Sequence, residues 1–290
     1  MQDYLHFVEI LFRFPKCYQS RCVRKVVPGV YDRKKESAIT RSISSSYSKA
    51  VSAYFGKNTP NTDLAEGSHN AYVAALEAHG TNVVVLPPLS DHPDCCFVED
   101  TAVMIDEKAV ISNMGHPSRV GEEIAIKEYL SNDYEIIKMP EKCKLDGGDV
   151  VFYDDCFLIG LSTRTNREGA EFLKKEIKEC GYDVKYINIP KSTLHLTTVC
   201  STPRPGTMIM AEGHLNFQEF DFVEEIIKIP NAESYASNVL GYSNDRVIIA
   251  GDFPMTRRIL LDHNFSITSV DMSPIMDADG SLTCLSVYLK

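Results

Sequence analysis

Several signatures that define common protein classes are missing from this 290-residue chain. No stretch approaches the roughly 18 consecutive apolar residues of a membrane-spanning helix, so no membrane span or membrane partner is expected. The start, Met1 to Phe14, is apolar but carries Asp3 and Glu9 and lacks a basic leading region, which makes it a poor secretory signal. The nine cysteines are odd in number, include the adjacent pair Cys95-Cys96 and form no C-x-x-C. They make no disulfide framework, and a reducing, cytoplasmic setting is expected. The eight histidines are scattered, and none pairs with a cysteine at the spacing of a structural zinc site. Neither G-x-G-x-x-G nor G-x-x-x-x-G-K-[ST] occurs, which leaves no phosphate loop. Excess basic charge is lacking too: the net charge of −10 argues against a nucleic-acid partner and favours the approach of a small cation.

What remains is an ordinary soluble composition, 44 % hydrophobic and 24 % charged. The length fits one or two domains and is ample for a large core. Apolar, β-branched segments recur along it: Val83 to Pro87, Ile136 to Pro140, Val184 to Pro190, Ile226 to Pro230 and Ile267 to Val270. A period in this range is a repeat signal. Helical stretches precede most of them, at Ala71 to His79, Glu122 to Leu130, Arg167 to Cys180 and Arg257 to Asn264. The third is the clearest: Asn166 caps it, Ala170, Leu173 and Ile177 form its apolar stripe, and Gly181 ends it. Further short strands are expected at Thr101 to Ile105, Ala109 to Ser112, Val150 to Tyr153, Phe157 to Leu161, Met208 to Ala211 and Val247 to Ala250. The unit is strand, strand, helix, strand, used about five times. One unit cannot bury its own sheet, so the copies should pack around a common axis. An open α/β sheet is the competing arrangement.

Residues 1–15 read as an extension and 16–290 as a single domain. Arg21, Arg24, Lys25, Arg33, Lys34, Lys35 and Arg41 make the early chain basic, and a Ser-rich tract follows at Ser42 to Ser48. This region suits a mobile surface loop or a lid over a pocket.

Residues with chemical potential gather at the ends of these elements. Cys284 follows the turn Asp279-Gly280, at the start of a short apolar strand. His195 sits in Thr193-Leu194-His195-Leu196, and Asp146 and Asp149 flank Gly147-Gly148. Together they could supply nucleophile, base and orienting carboxylate. Each also has an ordinary structural reading: a buried apolar cysteine, a hydrogen-bonded core histidine, a turn with its usual aspartates. Asp94, Glu99 and Asp100 crowd one segment and match the flat donor fork of a guanidinium, unless they are a solvated acidic loop. Arg119 and Arg164 could clamp a carboxylate or make surface ion pairs.

In combination, the segments P-D-C-C-F-V-E-D-T-A-V, G-H-P-S-R, L-D-G-G-D-V, G-L-S-T-R-T-N, L-H-L and D-G-S-L-T-C-L-S-V resemble the dimethylarginine dimethylaminohydrolases of the guanidine-modifying pentein superfamily. The likeness runs from about residue 82 to the C-terminus. It implies a five-bladed α/β propeller and hydrolysis of N-methylated arginine to citrulline and a methylamine, through a covalent thiouronium on Cys284. By the same resemblance His195 is the acid/base, Asp146 orients it, and Glu99 and Asp100 grip the guanidinium. Asp94 takes the α-amine, Arg119 and Arg164 the α-carboxylate, and Asp279 lines the pocket. The implied partner is a small guanidino amino acid, with no metal or organic cofactor; Zn²⁺ is expected only as an inhibitor on Cys284 and His195. No oligomeric state is implied. Two positions depart from relatives: Thr197 stands where many carry lysine, and Leu285 where some carry a second cysteine. An arginine deiminase-like guanidine hydrolase, a peptide-cleaving cysteine hydrolase and a non-enzymatic interaction protein on the same fold are the alternatives.

Overall fold

The computed structural model describes residues 35–289. The extension expected over residues 1–15 and most of the early basic stretch lie outside the described residues. The chain builds five sheets of three strands each. The first holds β1 (Ser37–Arg41) and β2 (Asn82–Leu86), joined through helix α1 (Thr62–Ala78). The second runs β3 (Ala102–Ile105), β4 (Lys108–Ile111), α2 (Glu123–Leu130), β5 (Glu135–Lys138). The third runs β6 (Val150–Tyr153), β7 (Cys156–Leu161), α3 (Arg167–Glu179), β8 (Asp183–Asn188). The fourth holds β9 (Cys200–Arg204), β10 (Thr207–Ala211) and β11 (Glu225–Ile229), with only a 3₁₀ turn, Phe217–Phe220, where the others have a helix. The fifth runs β12 (Val239–Tyr242), β13 (Arg246–Ala250), α4 (Pro254–Asp262), β14 (Ser266–Val270). A short helix, α5 (Ser273–Met276), then leads to β15 (Val287–Leu289), which pairs antiparallel with β1 and completes the first sheet.

Every sheet has the same grammar. An antiparallel hairpin is followed by a parallel crossover, as in β3–β4 and then β4–β5. The middle strands β4, β7, β10 and β13 are almost wholly buried and read as continuous apolar runs. The third strands are half-exposed, as in the alternating pattern of β8. No sheet closes a core by itself. Ile209 and Ile227 of the fourth pack with Val247, Ile249 and Leu260 of the fifth, and Val103 and Val110 of the second pack with Phe157, Ile159 and Leu173 of the third. Comparable clusters fill the other three junctions, including that between the fifth and first sheets. The five units are therefore blades of a closed α/β propeller, and the open-sheet alternative falls.

The expected α3 is present from Arg167, with the Asn166 side chain accepting from the Gly169 N–H at 2.8 Å and Gly181 in the left-handed region at φ +87°. The expected first helix begins earlier, at Thr62, because Asn61 caps it through the Leu64 N–H. The described part of the early chain is neither a lid nor a mobile surface loop. Ser37–Arg41 is the central strand of its sheet, Arg41 is buried, and the Ser44 hydroxyl donates to the Leu89 carbonyl at 2.8 Å. Register with β2 and β15 makes this segment part of the ring.

Candidate active site

The inner strand of each blade starts at one end of the propeller, and the residues just ahead of those strands converge there. Glu99 and Asp100 precede β3, Asp146 and Asp149 precede β6, His195 precedes β9, Asn238 precedes β12, and Cys284 precedes β15. Seven of the singled-out groups, Asp94, Asp100, Arg119, Arg164, His195, Asp279 and Cys284, line one small cavity of about 30 Å³ together with Val51. The cluster is buried, so Asp94 and Asp100 are no solvated loop and Arg119 is no surface ion pair.

His195 sits between carboxylates. Its Nε2 lies 3.1 Å from Asp146 Oδ2, and its Nδ1 lies 3.8 Å from Asp100 Oδ1. Burial opposes its charge, but Asp100, the Asp146 hydrogen bond and Asp149 prevail and push its pKa up to about 9. Burial would raise Asp146; the bond and charge of His195, with Arg119 and the Gly115 N–H, hold it below the usual carboxylate range instead. The Gly115 N–H donates to Asp146 Oδ1 at 2.7 Å, and Arg164 Nη1 reaches Oδ2 at 3.3 Å.

Asp149 was not expected at the site. Its Oδ1 accepts from the Leu196 N–H at 3.1 Å and its Oδ2 from the Ser162 hydroxyl at 2.5 Å, so it fixes the backbone that carries His195. Its place beside the glycine pair was the available signal. The pair itself forms a 3₁₀ turn, Gly147–Asp149. It is required by close approach: a Cβ on Gly148 would lie 2.8 Å from His195 Nδ1 and 2.9 Å from Asp100 Oδ1, and one on Gly147 would lie 2.1 Å from the Glu99 carbonyl.

Three expected substrate-binding residues have partners of their own. Arg119 donates from Nε and Nη2 to Glu122 Oε2 at 3.0 and 2.8 Å, from Nη2 to the Phe97 carbonyl at 2.8 Å, and from Nη1 to Asp100. It is an internal anchor that places Asp100, rather than a free clamp. Glu99 is turned from the Cys284 cavity. Its Oε2 accepts from Thr283 Oγ1 at 2.9 Å and more weakly from Thr197 Oγ1 at 3.5 Å, and it lines a second cavity on the propeller axis. Asp279 takes the backbone N–H groups of Ala53, Tyr54, Phe55 and Gly56, and Asp277 those of Lys57 and Asn58. These bonds strap residues 51–58 across the cavity. The Val51 N–H also donates to Asp94 at 3.0 Å, which completes the cover that was expected further upstream.

Cys284 lies in the 3₁₀ turn Thr283–Leu285, not on a strand. Burial, then Glu99 and Asp100, push its thiol well above the ordinary range, so it rests protonated. Glu99 itself is pushed up to about 8, by burial first and then by Asp100. Asp100, Asp146 and His195 also place ligand atoms within 4.8 Å of one another, close enough to hold a metal ion.

A five-bladed ring with a thiol, an imidazole between carboxylates and buried arginines at the end of its axis defines a hydrolase of the guanidine-modifying pentein superfamily. Within that class the chain belongs to the N,N-dimethylarginine dimethylaminohydrolase family, whose eukaryotic sequence model matches residues 45–289. The dimethylarginine dimethylaminohydrolase of Pseudomonas aeruginosa is 32 % identical over 240 residues, covering 82 % of this chain and 92 % of that protein. That of Streptomyces coelicolor is 28 % identical and covers 88 % of this chain and 97 % of its own. Among solved structures, a dimethylarginine dimethylaminohydrolase with a histidine replaced by glycine, as its adduct with S-methyl-L-thiocitrulline, superposes with a TM-score of 0.81 at 29 % identity, covering 87 % of this chain and 98 % of that one. The Pseudomonas enzyme with a cysteine replaced by serine, complexed with citrulline, gives 0.80 at 29 % identity over the same shares. The N-terminal domain of a cyanobacterial arginine dihydrolase shares the fold at 0.77, with 15 % identity, 87 % of this chain and 97 % of that domain.

Proposed function

We propose that the chain hydrolyses N-methylated arginine to citrulline and a methylamine through a covalent intermediate on Cys284. The observation that carries this reading is His195, held between buried Asp146 and Asp100 in the cavity that also takes Cys284. Asp100 receives the guanidinium and fixes it in plane. Arg164 receives the α-carboxylate, Asp94 the α-amine, and Arg119 acts from behind by holding Asp100. The strap over residues 51–58, held by Asp279 and Asp94, covers the substrate once it is bound.

The protonation states suit this order of events. The resting thiol is neutral, and the incoming cation offsets the carboxylates that keep it so; the proton leaves to solvent. The thiolate attacks the guanidinium carbon. His195, protonated at neutral pH, gives its proton to the departing amine as the C–N bond breaks, leaving a thiouronium on sulfur. The neutral imidazole then takes a proton from water, which adds to the same carbon; C–S cleavage releases citrulline and regenerates the thiol. The free state of the seven described cysteines supports a reducing, cytoplasmic setting.

Incubation with arginine, monomethylarginine and asymmetric dimethylarginine, followed by citrulline measurement, tests the reading. Citrulline should form from the methylated substrates and disappear in Cys284→Ser at unchanged melting temperature. Citrulline from arginine alone would move the assignment to a deiminase, and none from any of the three would overturn it.

A further inference from the structure

A second cavity lies on the propeller axis, beyond the floor of the Cys284 site. It holds about 110 Å³ and is lined by the inner strands of all five blades, among them Val103, Val151, Ser201, Leu240 and Val287. That volume approaches the 150 Å³ or so that admits benzene in an engineered cavity. Val103, Val151, Leu240 and Val287 give its walls an aliphatic side, Ser201, Thr202 and Ser286 a polar one, and its site-facing end carries Glu99 with Thr197 and Thr283. Among the described residues, no lysine or arginine forms an ion pair with Glu99. Lys35 lines the cavity but sets its ammonium 4.9 Å from the centre of the Tyr288 ring.

A chamber with an aliphatic side and a buried carboxyl at its end has the complementarity of a short alkyl chain bearing one positive charge. We propose that the axial cavity binds small alkylammonium ions, the ammonium against Glu99 and the alkyl chain along Val103, Val151, Leu240 and Val287. Occupation reaches the reactive site through one contact. Thr283, which donates to Glu99 Oε2 at 2.9 Å, immediately precedes Cys284 and is itself held by Asn238, whose Nδ2 donates to Thr283 Oγ1 at 2.9 Å. The site stands independently of the proposed reaction, although dimethylammonium, a product of that reaction, belongs to the same ligand class. The ionisable groups around the carboxyl are Asp100 from its own turn, His195 ahead of β9, Cys284 ahead of β15, and Lys35 on the cavity wall.

The test uses the full chain carrying Cys284→Ala, which makes the result independent of turnover. With methyl-labelled valine and leucine, n-propylammonium and dimethylammonium are titrated separately and the shifts of Val103, Val151, Leu240 and Val287 followed. Saturable shifts at these four positions are expected, at least tenfold weaker with neutral n-propanol, and lost in Glu99→Gln and in Thr197→Lys, whose own ammonium fills the place. Absent saturation, equal affinity for propanol, or full binding by folded Thr197→Lys would overturn the site. If both variants fail to fold, the comparison of ammonium with alcohol on the wild-type chain decides by itself.

Discussion

Replacing Arg164 by alanine separates recognition from chemistry, because the structure gives this arginine two jobs. Its side chain is only 10 % exposed and its Nη1 lies 3.3 Å from Asp146 Oδ2, so it touches the histidine's partner as well as the cavity. A hydrogen bond between charged groups is worth about 1.5–3 kcal/mol net. Its loss lets Asp146 hold protonated His195 more tightly, which slows proton donation to the departing amine. Any substrate should therefore lose about 10- to 100-fold in kcat/KM. A substrate with an α-carboxylate loses a desolvated charge pair besides, worth about 2–5 kcal/mol, or at least a further 30-fold, chiefly in KM. The assay compares wild type and Arg164→Ala on asymmetric dimethylarginine and on its decarboxylated analogue, with Arg164→Lys as the charge-preserving control. Equal losses on the two substrates would refute the carboxylate contact. Loss confined to KM on both would refute the coupling to Asp146.

Gly148→Ala places a methyl group within 3 Å of both His195 and Asp100, so activity should fall by about 10²-fold or more with less than about 3 kcal/mol of lost stability; comparing kcat with urea unfolding checks this. The His195 pKa rises from 6.5 unfolded to about 9 folded, so its protonated form contributes stability fully present below pH 6.5 and lost as pH climbs through 9. Wild type should thus lose on the order of 3 kcal/mol more than His195→Gln across that window, and parallel curves would contradict the raised value. Zn²⁺ should inhibit by occupying Cys284 and His195, with chelator restoring activity; activation by Zn²⁺ would overturn the metal-free chemistry.

The outer parts of each blade were legible because they are built from simple patterns. Middle strands buried on both faces read as apolar runs, and α3 announced itself by its cap and stripe. The inner strands β9 and β12 escaped notice for a physical reason. β9 carries Ser201, Thr202 and Pro203 in place of an apolar run. In β12, Gly241 stands where a Cβ would lie 2.2 Å from the Pro203 carbonyl. Cys284, His195 and Asp146 were singled out by the combination of local motifs. The directions of loop side chains were not, since order along the chain does not say that Asp279 faces a strap of backbone amides or that Glu99 faces the axis. Asp149 was read as a turn residue because its role depends on Leu196, far away in sequence.

The pairing of β15 with β1 places the ring's seam beside Cys284. Cys284 and β15 come last among the described residues, and the thiol meets His195 only when that segment pairs with β1. Imidazole and carboxylates are thus without their thiol until the ring has closed. Completing the architecture and arming the chemistry are one event, so partly made or mis-closed molecules are silent by construction.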